Sequence, residues 1–334
     1  MKPPVDPGPI LALVTAYWGS MALFAANELG LFTALAEGGR TPAELAARLG
    51  LPERPLRLLL QALDGLGLLA GEGGRFANTP LADAFLVDGR PAFLGNAIRY
   101  GADSYPLWGA LPTVVRTGRP AAGAEDYLGA DPERTRHFVW GMHARAMGVA
   151  RAVVQAIDLP AGTRLLDLGG GPGTYALLLA QKTPGLTAVV FDLPAVVAIS
   201  REIIGSFNLG ARVGVQAGDF LRDPYPSGMS AVLLSGILHR EPEATCREIL
   251  EKTREALVPG GRAIVSDVMV DAGGVGPAFA TLFGLHMLVT SERGGVHTKA
   301  DQARWLEELG FADVRIRELP PPAMHTLITA VRPA

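Results

Sequence analysis

From residue 162 onward, short apolar runs alternate with amphipathic stretches of helical period. The runs at 164–168, 188–191, 213–216, 231–234, 263–268, 314–318 and 325–331 read as strands, and the segments between the first six read as helices. Repeated strand–helix units form a mostly parallel sheet with helices on both faces. The connection at 319–324 is too short for a crossover, so the last two strands are expected as an antiparallel hairpin at the sheet edge. The fold class is therefore α/β.

The first hundred residues carry a different pattern. Within 10–35, Trp18, Met21, Leu23, Phe24, Leu29, Leu31 and Phe32 cover too much of a helix for one stripe. Such a helix is buried against a partner copy or inside its own domain. Thr41-Pro42-Ala43-Glu44 is a helix start, with Thr41 as N-cap, Pro42 at the first helical position and Glu44 closing a capping box. A second periodic helix is expected over 53–69, then a hairpin tip over 71–76. This set is similar to a winged helix. Between Thr41 and Phe76, four arginines are balanced by four acids, with no lysine. DNA binding needs a basic face, so a structural, dimerising domain is expected and nucleic acid is not. Residues 91–150 read as helical, with breaks at Pro106, Pro112 and Pro120. The expected organisation is 1–100, a helical linker at 101–150, and an α/β domain at 151–334.

The chain has 334 residues, enough for more than one core, and a net charge of −3 gives no attraction to nucleic acid or anionic lipid. The single cysteine, Cys246, excludes a disulfide framework. The N-terminus Met1-Lys2-Pro3-Pro4-Val5-Asp6-Pro7-Gly8-Pro9 lacks the apolar core of a signal peptide. Apolar runs read as too short or too interrupted for a bilayer. A cytoplasmic protein without membrane partners is the expectation.

Candidate chemistry begins at Leu165-Leu166-Asp167-Leu168-Gly169-Gly170-Gly171-Pro172-Gly173, a strand running into a glycine loop before a helix. A dinucleotide fold wants G-x-G-x-x-G. Here Gly169, Gly171 and Gly173 form G-x-G-x-G, and Pro172 removes a backbone donor that a pyrophosphate would use. The loop suits a ligand without phosphates. Asp192 after the second strand is placed to accept from both hydroxyls of a ribose. After the third strand, Gly218-Asp219-Phe220 offers a carboxylate for an exocyclic amine and a ring to stack on a base. The ordered set describes a phosphate-free adenosine.

On these motifs the chain resembles the class I S-adenosylmethionine-dependent methyltransferases. More narrowly, it resembles small-molecule O-methyltransferases with an N-terminal winged-helix dimerisation domain. The resemblance also covers Pro259-Gly260-Gly261-Arg262 before a strand. It implies a Rossmann-like sheet and a homodimer. Asp167, Gly169, Gly171 and Gly173 would hold the methionine end, Asp192 and Leu193 the ribose, Gly218, Asp219 and Phe220 the adenine. Ser235 would also lie at the cofactor.

The fourth strand leads to Leu238-His239-Arg240-Glu241-Pro242. An imidazole titrates near neutral pH and can take a phenolic proton. His239 matches the family's catalytic base, although the Asp-Trp pair that normally follows is replaced. Asp267 matches the acid that holds the imidazole. The second acid of the family is missing, with Val296 in its place, so His239 and Asp267 would act as a dyad. Asp271 lies near, but a metal site would need more acids converging, and no metal is expected. Trp140, Met142, His143, His286 and Met287 are candidate pocket residues for an aromatic acceptor, with a core role open for His286. The expected reaction is O-methylation of an aromatic or polycyclic small molecule. Methylation of carbon or nitrogen is the alternative, as is cofactor binding without methyl transfer.

Overall fold

The computed structural model describes residues 5–123, 128–319, 321 and 323–334. Residues 1–4 of the N-terminal reading, 124–127 of the expected linker, and positions 320 and 322 of the last connection lie outside the described residues. The chain divides into two compact units, Met1–Ser104 and Tyr105–Ala334.

The first unit opens with α1 (Gly8–Thr15) and α2 (Tyr17–Glu28), followed by α3 (Leu31–Ala34), α4 (Pro42–Leu49) and α5 (Glu53–Gly65). The expected capping box starts α4: Thr41 Oγ1 accepts from Glu44 N at 3.2 Å, and Glu44 Oε2 accepts from Thr41 N at 2.9 Å. The hairpin of β1 (Leu69–Glu72) and β2 (Arg75–Asn78) turns through Gly73 and Gly74, both at positive φ, as a tight hairpin turn demands. Arg75 of the hairpin pairs with Glu44 at 2.8 Å. Leu31, Phe32, Leu45, Leu56, Leu60 and Leu63 form the core, and α6 (Pro80–Phe85) and α7 (Gly95–Gly109) follow.

The first two helices leave many of their apolar residues exposed, although Ala26 of α2 is in the core with Ala22 and Leu23 packed against it. Ile10, Leu13, Tyr17 and Trp18 are exposed, Leu13 by 76% and Trp18 by 62%. One expectation is corrected here. The continuous stretch Gly8–Glu28, 21 residues with mean hydropathy 1.6, is long and apolar enough to cross a membrane by length and composition. The sequence reading missed it because glycine, serine and asparagine interrupt the run without lowering its mean enough.

The second unit holds α8 (Leu111–Thr117), α9 (Pro132–Ala156), β3 (Arg164–Leu168), α10 (Thr174–Lys182), β4 (Thr187–Asp192), α11 (Pro194–Ser206), β5 (Val213–Ala217) and β6 (Met229–Ser235). Then come α12 (Glu243–Ala256), β7 (Leu257–Asp267), α13 (Ala278–Thr290), α14 (Lys299–Glu308), β8 (Ala312–Glu318) and β9 (Thr326–Val331). The sheet order is β5-β4-β3-β6-β7-β9-β8, parallel except for β9. The terminal hairpin is antiparallel as expected. Its last strand, however, inserts between β7 and β8, so β8 forms the edge.

Side chains alternate across the sheet into two cores. Leu165, Val190 and Leu233 pack with α9, α10 and α11, whereas Leu166, Leu168, Val232 and Leu234 pack with α12 and α14. Strand order reverses at β3, because the chain steps outward to β4 and β5 and then returns to β6 on the other side. Ligands of such sheets bind beyond the strand ends at this reversal. Asp192, Ser235 and Asp267 are the last residues of β4, β6 and β7.

Candidate active site

The glycine loop after β3 is held by its neighbours. Gly169 N–H donates to Phe191 O at 2.8 Å, and Gly171 N–H donates to Asp192 Oδ2 at 2.7 Å. Gly169 has φ 58°, and a Cβ there would run into Ile237 Cδ1. Position 169 thus needs glycine both for its backbone angle and for the approach of the loop after β6. Gly173 caps α10 with φ 74°.

Asp167 is fully buried beneath this loop. Its Oδ2 accepts from Ala176 N at 3.3 Å, and its Oδ1 has no hydrogen-bond partner among the described residues. Burial first, and the nearby Asp192 carboxylate, push its pKa up to about 7, against the hydrogen bond from Ala176. Asp192 accepts from two backbone donors, Gly171 N–H and Leu193 N–H, the latter at 2.7 Å. Burial nevertheless holds its pKa above the usual value.

On the next loop, Gly218 N–H donates to Asp192 O at 2.9 Å, and a Cβ at Gly218 would overlap the Phe191 ring. Asp219 Oδ1 accepts from Leu221 N at 2.9 Å, and its side chain is 30% exposed. The Phe220 ring edge lies 3.5 Å from the Cβ position at Gly169. Thus Gly169, Asp192, Gly218 and Phe220, which are far apart in sequence, meet at one end of the sheet.

The His239 ring sits on a short 3-10 turn, Leu238–Arg240, beyond β6. Its Nδ1 is 2.6 Å from Asp267 Oδ1, and its backbone N–H donates to Asp267 Oδ2 at 3.2 Å. Burial alone would raise the Asp267 carboxyl. The His239 ring, His325 and the Val268 N–H outweigh it and hold the carboxyl below its usual value. A carboxylate at Nδ1 places that nitrogen's proton toward the acid and leaves Nε2 as the basic position. The loop after α13 is tied to this turn: Gly295 N–H donates to His239 O at 2.8 Å, and Arg293 pairs with Glu241 at 3.0 Å.

The candidate pocket residues fall into two groups. On α9, His143 Nδ1 is 2.8 Å from Thr174 Oγ1, its ring meets Phe207 and Trp140 edge-on, and burial lowers its pKa to about 4. Trp140 packs on the core of that sheet face, and Met142 is half-buried. This group lies beside the glycine loop's helix. On α13, the His286 ring stacks with Trp108, whose Nε1 donates to Nδ1 at 3.3 Å, and Met287 is buried with Phe283. Burial, then Arg145 and His239, lower the His286 pKa to about 4. Val296 packs on this second cluster.

Several neighbours of His239 carried no signal in the sequence reading. The Phe283 ring meets His239 edge-on with centroids 4.8 Å apart. Burial raises the pKa of the Tyr175 phenol, and the nearby Asp267 charge acts in the same direction. His325 Nδ1 lies 3.0 Å from Ser266 Oγ, behind Asp267. Phe283 follows the helical spacing of Phe279 and His286 on α13. That face was the available clue.

Residues 108–312 match the family model described as the O-methyltransferase domain, and residues 11–88 match the O-methyltransferase dimerisation domain. The chain is 36% identical to 3-hydroxy-5-methyl-1-naphthoate 3-O-methyltransferase of Streptomyces sahachiroi, over 99% of this chain and 97% of that one. It is 33% identical to the N,N-dimethyltransferase OxyT of Streptomyces rimosus, over 97% and 96%. Among solved structures, human N-acetylserotonin methyltransferase in complex with S-adenosylmethionine is similar with a TM-score of 0.89. That match has 29% identity and covers 100% of both chains.

Proposed function

The chain belongs to the O-methyltransferase family, and on that premise we propose that it methylates a hydroxyl of an aromatic small molecule. It is an S-adenosylmethionine-dependent enzyme. The residues present fit that cofactor: Asp167 Oδ1 is a buried acceptor without a partner among the described residues, and the glycine cradle would be filled by any side chain at Gly169. Asp167 and the glycine loop would receive the methionine end. Asp192 and Leu193 would bind the ribose, Gly218, Asp219 and Phe220 the adenine side, and Ser235 would also lie at the cofactor.

The observation that carries the reading is the His239–Asp267 pair at the strand ends beside this cradle. S-adenosylmethionine supplies a methyl group already activated by its sulfonium. His239 Nε2 takes the hydroxyl proton as the acceptor oxygen forms its bond to the methyl carbon and the carbon–sulfur bond breaks. Asp267 keeps the ring in one tautomer and stabilises the imidazolium. Phe283, packed on the imidazole, fixes its plane. Orientation supplies several kcal/mol of such a displacement.

The N,N-dimethyltransferase relative favours nitrogen as a second reading. Incubation with labelled S-adenosylmethionine and paired naphthols and aminonaphthalenes distinguishes the two, with the methylated atom mapped by NMR. Label on oxygen is expected, and label on nitrogen alone would overturn the oxygen assignment.

The dimerisation-domain match and the exposed apolar face of α1 and α2 together support a homodimer.

A further inference from the structure

Arg145 lies on α9 between the two groups of candidate pocket residues. Its guanidinium carbon sits 5.9 Å from the centroid of the Phe283 ring. That same ring contacts His239 at 4.8 Å and His286 at 6.1 Å between centroids. Arg145 is therefore one ring away from the proposed base. Its side chain is exposed, and among the described residues it makes no hydrogen bond or ion pair. Arg136 on the same helix pairs with Glu202 at 2.8 Å. Among the described residues the Arg134 and Arg151 side chains also have no ion pair, but neither rests on a ring of the site.

The charges around Arg145 do not neutralise it. Asp267 is 1% exposed and is engaged by His239. The charge of Arg145 acts on His286, His325 and Tyr175, groups that also feel the charge of His239 or Asp267. A guanidinium offers a planar pair of donors that matches a carboxylate in two parallel hydrogen bonds. Phe279, 38% exposed and stacked on Phe283 with centroids 6.3 Å apart, gives an aromatic scaffold a surface to lie on.

We propose that Arg145 recognises an anionic group on the acceptor, and that the acceptor is a hydroxylated aromatic carboxylate. This rests on the methyltransferase reading and narrows its substrate class. The carboxylate docks on Arg145, the aromatic body lies against Phe279, and the hydroxyl is turned toward His239 Nε2. Arg145 is a specificity residue and takes no part in proton transfer.

The test uses the full chain with two probes that differ in one group, 3-hydroxy-2-naphthoate and 2-naphthol. Turnover is read with S-adenosylmethionine and binding with S-adenosylhomocysteine present. The wild type is expected to favour the carboxylate by about tenfold to a hundredfold in KM, the range for a charge-assisted pair. In Arg145→Gln the ratio of the two KM values should fall close to one, and Arg145→Lys should keep part of it. The cofactor dissociation constant serves as the check on folding. An unchanged ratio in Arg145→Gln, or a wild type without preference, overturns the proposal. If neither probe is methylated, the binding titration decides separately. Carboxylate-selective binding lost in Arg145→Gln sustains the anion site while the transfer reading fails, and absence of carboxylate binding overturns the anion site itself.

Discussion

Asp267 grips His239 at two points: Oδ1 lies 2.6 Å from the ring Nδ1, and Oδ2 accepts the backbone N–H of the same residue at 3.2 Å. One carboxylate thus fixes both the turn and the tilt of the imidazole. The pair is oriented without a third acid, and Val296 packs on the neighbouring apolar cluster.

Replacing the base tests its role directly. His239→Ala is expected to lower kcat by about 10²–10⁴-fold, the usual contribution of a general base. The dissociation constant for S-adenosylmethionine should stay within a few-fold of wild type. Turnover close to wild type would remove His239 from the chemistry.

Asp267→Asn retains the shape but loses the charge. The imidazolium is then less favoured, so the rising limb of the pH–rate profile should move to lower pH and the plateau should drop. A profile with the same limb and the same plateau would contradict the orienting role.

Asp192 accepts from Gly171 and Leu193, so its carboxylate is fixed before any ligand arrives. Asp192→Ala is predicted to weaken cofactor binding by roughly tenfold to a hundredfold, the loss of charge-assisted hydrogen bonds. Isothermal titration would show this, with kcat at saturating cofactor much less affected. A loss confined to kcat would move Asp192 out of the cofactor site.

His143 gives a pH signature in stability. Burial holds its folded-state pKa near 4 instead of 6.5. Between those values the unfolded chain binds a proton that the folded chain does not. Its contribution to stability is therefore complete above 6.5 and is lost as pH falls toward 4. Asp167, with its raised pKa, acts in the opposite direction over much of this window. The isolated comparison is therefore the useful one: His143→Gln should make the decline of Tm between these pH values shallower than in wild type. An unchanged slope would place the buried proton equilibrium elsewhere.

Trp18 is 62% exposed on the apolar face of α2. Trp18→Asp is expected to yield monomers in light scattering, with circular dichroism unchanged. A dimer that survives this change at low micromolar concentration would exclude the face from the interface.

Much of this protein is written locally in its sequence. The alternation of apolar runs determined seven strands and their parallel order of connection, because side-chain period and connection length act over a few residues. Thr41 and Glu44 announced their helix start, since a capping box closes within one turn. The glycine spacing at 169, 171 and 173 and the acids after the strands indicated the ligand class for the same reason. A strand end is a fixed place relative to a sheet. His239 and Asp267 were paired on the resemblance alone. The two-point grip between them came with the fold.

Only tertiary structure decided what separate segments do to one another. It put β9 between β7 and β8, which a short connection allowed but did not require. It divided the candidate pocket residues, turning His143 toward Thr174 and His286 toward Trp108. It also set Arg145 of α9 over Phe283 of α13. These meetings depend on the rotation of each helix about its axis and on where it docks, quantities that no local period encodes. The nature of the acceptor rests on them.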